Sequence, residues 1–308
     1  MLKKQLFGVE VEMTGITRKS AAKIVADVLG TTPSYPDSTC YKTYTIIDQT
    51  TRTWKIMRDS SINPRQNDGT CDDLDEYRVE FVTPPLEYTD IELLQNIIRK
   101  LRKNGAKVNS SCGIHIHVDG ANHTSKSLRR LINFMTSRQD LIYEALEIED
   151  RANRWCQKLN TALLDEMKKD KDISKDKAEQ IWYSSANDGY NGGINHRHYN
   201  HTRYHGVNLH SYFSNGTVEF RLFNSTLHAG KIKAYIQFCL AISAWAITSQ
   251  EKIIFRSMVG YTPQQKVTIM RSILTHRLGL YGAEFKTCRL HLMAHLKKSA
   301  KTAAESVA

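Results

Sequence analysis

The sequence has no apolar run long enough for a membrane span. Its longest charge-free stretch of that kind, near residues 238–247, falls short of the roughly 20 residues that a bilayer crossing needs. It has no C-x-x-C pair, and its six cysteines (Cys40, Cys71, Cys112, Cys156, Cys239 and Cys288) lie far apart. It also has no secretory leader pattern, because Glu10 and Glu12 fall where a leader would be apolar. Together these absences predict a soluble, cytoplasmic chain with reduced thiols. Three catalytic signatures are missing as well. The one Gly-Lys step, Gly230–Lys231, has Ser225 and Ile232 where a phosphate-binding G-x-x-x-x-G-K-[ST] loop needs Gly and Ser/Thr. Neither a G-x-S-x-G elbow nor an H-E-x-x-H helix occurs.

What is present is an ordinary globular composition, 41% hydrophobic and 24% charged over 308 residues, with a formal net charge of +11. That length allows one large domain or two ordinary ones. The basicity is uneven. From residue 251 onward ten Lys/Arg face only Glu251, Glu284 and Glu305, so most of the excess lies at the C-terminal end. Strand-like segments fall at 5–13, 41–47, 53–58, 77–83 and 114–119, with further ones at 204–211 and 217–223. Helical periodicity covers 19–29, stopping at Gly30, and 89–103, stopping at Gly105. It continues through most of 125–182 and resumes at 231–248. This order lacks the regular alternation of a doubly wound fold and predicts an α+β architecture with a mostly antiparallel sheet flanked by helices.

Four strands carry polar pairs on one face, since residues i and i+2 of a strand point the same way. Glu10 pairs with Glu12 against Val9, Val11 and Met13. His115, His117 and Asp119 oppose Ile114, Ile116 and Val118, while Arg78 pairs with Glu80 and Glu219 with Arg221. A merely solvated face usually mixes in Lys, Ser, Thr and Gln; these faces are almost wholly Glu, His, Asp and Arg. Paired carboxylates repel unless a positive charge lies between them. Carboxylate and imidazole donors without cysteine suit Mg²⁺ or Mn²⁺, and an arginine fork suits phosphate or carboxylate. The pattern predicts a divalent-metal and phosphate site spread over a sheet.

Glu10–Val11–Glu12, Asn109–Ser110–Ser111–Cys112–Gly113–Ile114–His115–Ile116–His117 and Glu219–Phe220–Arg221 resemble, in order, the catalytic strands of glutamine synthetase and glutamate–cysteine ligase. With Met57–Arg58–Asp59–Ser60–Ser61–Ile62, Glu80–Phe81–Val82–Thr83–Pro84–Pro85–Leu86 and Arg203–Tyr204–His205–Gly206–Val207–Asn208–Leu209, the chain is most similar to the amidoligase family of the carboxylate–amine ligase superfamily. The resemblance spans roughly residues 5–248. It implies a glutamine-synthetase-like catalytic domain over 1–250, with a helical insert at about 125–183, a mobile loop at 184–205 and a basic helical extension at 251–308. It implies an ATP- and Mg²⁺-dependent ligase joining a carboxylate substrate to an amine through an acyl-phosphate. Glu12 and Glu80 would hold one metal, and Glu10, His115 and Glu219 another beside the ATP phosphates. Arg221 would stabilise the transferring phosphoryl group, and Arg203 and Asn208 would fix the phosphates or the carboxylate. Asp59 with Ser60 would receive the amine and its proton, and His117 would assist cofactor binding. Asp75 and Glu76 stand as candidates for a further metal-site acid.

His196, His198, His201, His205 and His210 crowd one segment, but the absence of nearby cysteine and of a standard spacing favours a closing loop over zinc, with Gly189, Gly192 and Gly193 as permissive points. Two other functions share the composition. A metal-dependent nucleic-acid phosphodiesterase could use the same acids and histidines, and a basic nucleic-acid-binding protein could rely on the C-terminal charges alone. Both are less favoured than the ligase, and an oligomer is compatible with it.

Overall fold

The computed structural model describes residues 1–66, 68, 74–184, 187, 192–250 and 258–306. Seven strands, β1 (Phe7–Met13), β2 (Tyr44–Ile47), β3 (Thr53–Met57), β4 (Val79–Val82), β5 (Gly113–Asp119), β6 (Val207–Asn208) and β7 (Thr217–Asn224), form an open sheet in the order β2-β3-β4-β1-β5-β7-β6. The pairs β1–β4, β2–β3, β3–β4 and β6–β7 are antiparallel. With its flanking helices this is the α+β class expected. The chain divides into two compact units. A strand-rich unit comprises Leu6–Ile116 and Phe223–Ile236; a helix-rich unit comprises Met1–Gln5, His117–Leu222 and Gln237–Ala308. The boundary expected near residue 250 abuts residues 251–257, which lie outside the described residues.

In the strand-rich unit, alternation sends Phe7, Val9, Val11 and Met13 into the core. β4 lies between β1 and β3, where Phe81 stacks on Trp54 at 6.0 Å between ring centroids. The helix Arg18–Leu29 starts where the Thr17 side chain accepts from the Ser20 amide and ends at Gly30, whose φ of 67° suits glycine. The helix Ile91–Lys103 buries Ile91, Leu94, Ile97, Ile98 and Leu101, the i, i+3, i+4 stripe read from the sequence.

The helix-rich unit is built on Ser125–Leu146, a 22-residue helix whose start is fixed by Thr124 and Ser127 capping each other's backbone amides. Thr161–Lys168 and Lys175–Trp182 complete the insert. The basic C-terminal stretch is helical over Pro263–Ser272, Lys286–Leu292 and Ala294–Glu305, and it buries Cys288, Leu292, Met293 and Leu296. Lys266 pairs with Glu144 at 2.7 Å, so some of its charge anchors it to the long insert helix. Residues 204–211 differ from the strand read there: only Val207–Asn208 is extended, and a short helix begins at His210 and ends at Gly216, φ 77°. The backbone before it bonds elsewhere. Gln157 donates to the Tyr204 carbonyl at 2.7 Å, and Gly206 donates to the Gln157 carbonyl at 2.9 Å. Tyr143 Oη reinforces the junction by donating to the Cys156 and Gln157 carbonyls at 2.7 and 3.1 Å.

Two expectations follow. A methyl group at Gly206 would stand 2.2 Å from Tyr143 Oη and 2.6 Å from Leu222 Cδ2. Gly206→Ala therefore lowers the unfolding free energy by about 1–3 kcal/mol, the range for overpacking, as read by urea denaturation; an unchanged midpoint refutes the crowding. Separately, buried His123 lies 2.9 Å from Ser243 Oγ and 3.0 Å from Ser127 Oγ, and Ser243 donates to Gln5 Oε1 at 2.6 Å. Burial, helped by Arg130, pushes His123 down from 6.5 to about 4. The folded chain keeps this imidazole neutral while the unfolded chain protonates it, so its contribution is complete above about pH 6.5 and is lost as pH falls toward 4. That loss is on the order of 3 kcal/mol. Stability measured between these pH values has a shallower slope in His123→Gln.

Candidate active site

The strand-rich unit gathers four of the expected residues. Antiparallel register sets Glu12 directly opposite Glu80, and Glu80 also faces Met57 on its other side. Glu12 and His115 are each 4% exposed and Glu80 is 9% exposed, so two carboxylates and an imidazole meet nearly out of water. One ligand atom from each lies within 4.8 Å of the other two, a spacing that suits a single cation. The Gly113 amide donates to Glu12 Oε2 at 2.6 Å, and His115 Nε2 stands 3.7 Å from Glu12 Oε1. That gap is too long for a hydrogen bond. Glu10, two residues before Glu12 on the same face of β1, places Oε2 2.9 Å from His115 Nδ1. This contact favours the tautomer with hydrogen on Nδ1, which leaves Nε2 as the ligating nitrogen.

Asp59 and Ser60 follow β3 in the same unit. Asp59 Oδ1 accepts from the Ser61 amide at 2.7 Å, fixing a turn that leaves Ser60 exposed. Asn109 holds a turn of its own: Oδ1 accepts from the Ser111 amide at 3.0 Å and Nδ2 donates to the Asn63 carbonyl at 2.9 Å. Asp75, considered for a further metal position, has a different role. It pairs with Arg18 and Lys42 at 3.0 Å each and with Arg58 at 2.5 Å. Partial burial works to raise its pKa, but hydrogen bonds from Arg58, Lys42 and Arg18 outweigh this and hold the carboxyl well below its usual range. Three cations already satisfy Asp75; it ties β3 to the start of the first helix.

In the helix-rich unit, β6–β7 register sets Asn208 opposite Glu219. Asn208 Nδ2 donates to Glu219 Oε2 at 2.6 Å, and Arg221 Nη1 donates to Oε1 at 2.6 Å. All three residues are almost fully buried. Arg221 also lies over the Tyr204 ring at 5.7 Å, with Nε 3.4 Å from the Trp155 carbonyl. His117 Nδ1 lies 3.0 Å from Thr217 Oγ1, and Nε2 lies 3.9 Å from Glu219 Oε1. Arg203, half-buried, donates to the His198 carbonyl at 2.8 Å and stacks against Tyr199 and Tyr204. The crowded histidines have separate partners. His196 contacts Glu179 at 2.5 Å, buried His205 contacts the Thr202 carbonyl at 2.9 Å, and buried His210 contacts Tyr183 Oη at 2.5 Å. Among the described residues they belong to no metal-binding group. Burial, then nearby Arg203, pushes His210 down to about 4, so it sits there uncharged. Gly189 lies outside the described residues.

Sequence reading missed the companions of these residues. Thr217 shares the Glu219–Arg221 face by the same period of two and could have been found that way. Trp155 could not, because it reaches Arg221 through a backbone carbonyl from a segment distant in sequence. No helix among the described residues is long and apolar enough to cross a membrane.

No curated protein matches the sequence. A family model described as "putative amidoligase enzyme" matches residues 3–243, more than three-quarters of the chain, and covers every strand that carries the acids, histidines and arginine above. The same-face carboxylates and the order of the motifs agree with that match, and the chain belongs to the putative amidoligase enzyme family.

Proposed function

We propose that the protein is an ATP- and Mg²⁺-dependent carboxylate–amine ligase working through an acyl-phosphate, on a sheet of the glutamine-synthetase kind. The observation that carries this reading is the in-register, nearly buried Glu12–Glu80 pair with His115 beside it. A cation between two carboxylates this close and this dry would offset their mutual repulsion. Donors that are all oxygen or imidazole nitrogen fit Mg²⁺ or Mn²⁺. Cys112, three residues before His115, has its sulfur 3.6 Å from Asn109 Oδ1. When bound, such a cation would supply positive charge against phosphate oxygens. The second expected set, Glu10, His115 and Glu219, takes residues from both units and rests on the family resemblance.

In this reading a substrate carboxylate oxygen attacks the γ-phosphorus of ATP, and the bond to ADP breaks. The amine then attacks the acyl carbon, and phosphate leaves with the C–O electron pair. Such chemistry gathers anions, so the chain's main contribution is fixed positive charge and alignment. Arg221, pre-positioned by Glu219 and the Trp155 carbonyl, would set its positive charge against the moving phosphoryl group. Arg203 and Asn208 would orient the phosphates or the acid, with His117 assisting. Asp59, with one oxygen outside its turn bond, would accept the amine's proton beside Ser60.

Two measurements test this. Mg²⁺ or Mn²⁺ at about 100-fold over its Kd stabilises the wild type by roughly 2–3 kcal/mol in thermal denaturation. Glu80→Gln loses that response, because the amide removes the negative charge that would hold the cation. Equal cation responses in the two proteins would remove Glu80 from the metal set. In the second, ATP turnover over a panel of carboxylates and amines depends on divalent metal and falls by roughly 10²–10³ in Arg221→Ala, with folding verified by circular dichroism. Metal-dependent cleavage of DNA or RNA without ATP would instead favour a phosphodiesterase.

A further inference from the structure

In the helix-rich unit a row of alternating guanidinium groups and aromatic rings runs on from Arg221 and Arg203 to Arg154, which the phosphoryl-transfer chemistry leaves unused. Arg154 lies over the Trp155 ring at 4.4 Å, and Trp155 meets Tyr204 edge-on at 5.7 Å between centroids. Tyr204 lies between Arg221 at 5.7 Å and Arg203 at 5.8 Å, and Arg203 continues to Tyr199 at 5.9 Å. Arg154 is exposed; Trp155, Arg203 and Tyr204 are half-buried. Among the described residues no acid pairs with Arg154 or Arg203. The row is therefore rich in donors, poor in acceptors and partly open to water. It is also rigid, because the Gln157–Tyr204 and Gly206–Gln157 backbone bonds stitch the Trp155 segment to the Tyr204 segment.

We propose that this row is an anion subsite of the acid substrate, reading a second, non-reacting anionic group while the reacting carboxylate lies toward Arg221. The acid is then at least a dianion, its second charge a carboxylate or a phosphate-type group. This deepens the ligase reading and rests on it. Stacking on Trp155 holds Arg154 in place and leaves the edge of its guanidinium plane free for a bidentate contact, geometry that a flexible lysine would not give. The insert that carries Trp155 lies outside the catalytic strands, where substrate choice can vary without disturbing the acids of the sheet.

The test is calorimetric titration of the full-length protein, without ATP or metal, with butyrate, glutarate and 4-phosphonobutyrate. Wild type binds glutarate or 4-phosphonobutyrate at least about threefold tighter than butyrate, the scale of one partly exposed ion pair. The preferred dianion distinguishes carboxylate from phosphate-type recognition. Arg154→Gln, an exposed change outside the catalytic groups, abolishes the preference and leaves butyrate binding unchanged. Equal binding of all three acids overturns the subsite, as does failure of both dianions to bind, or a preference that survives Arg154→Gln. ATP binding that depends on Arg154 would also overturn it, making the row a nucleotide site. Because these titrations need neither ATP nor metal, their outcome is separable from that of the turnover assay.

Discussion

Two carboxylates facing each other across neighbouring strands, almost without water, are the constraint around which the strand-rich unit is arranged. At such separations in a low-dielectric interior, like charges repel by several kcal/mol unless donors or a cation answer them. The structure supplies part of the answer. Gly113 gives Glu12 a backbone donor, and His115, oriented by Glu10, turns its other nitrogen toward the same carboxylate. β4 holds Glu80 in place by pairing on both edges, and Asp75 with its three cations ties the neighbouring segments together. The result is a cluster of oxygen and nitrogen donors, close enough together that one cation could bridge them.

The helix-rich unit meets the same electrostatic problem differently. Buried Glu219 already has Arg221 and Asn208 on its two oxygens. A buried ion pair of this sort adds little net stability, but it fixes the direction of the guanidinium. The insert contributes the Trp155 carbonyl to that orientation, and the segment before β6 contributes the Tyr204 ring. In the proposed ligase reaction, orientation achieved before substrate arrives would matter, since phosphoryl transfer depends mainly on alignment and charge stabilisation. The insert thus shapes the surroundings of Arg221, although it lies outside the strands that carry the acids.

Much of this was legible before any coordinates. The helix ends at Gly30 and Gly105 and the stripe Ile91, Leu94, Ile98 and Leu101 follow from local rules of turn chemistry and periodicity. Segment 204–211 was misread because its β-like composition is overridden by backbone bonds to Gln157, a partner nearly fifty residues away. Asp75 looked like a spare acid because nothing in its local sequence reveals that Arg18 and Lys42 converge on it. The crowded histidines looked like one group, yet Glu179, Thr202 and Tyr183 separate them.

Which side chains share a strand face follows from the order of residues alone. Glu10 with Glu12, and Glu219 with Arg221, share a face because successive side chains of an extended strand point to opposite sides. The sequence also determined the order of the motifs, and with it the family. Only the tertiary structure decided that Glu12 faces Glu80, that His115 turns to Glu12, and that Trp155 and Tyr204 close on Arg221. Those pairings depend on hydrogen-bond register and on backbone junctions between distant segments, and a shift of one residue in either would send the same side chains to different partners.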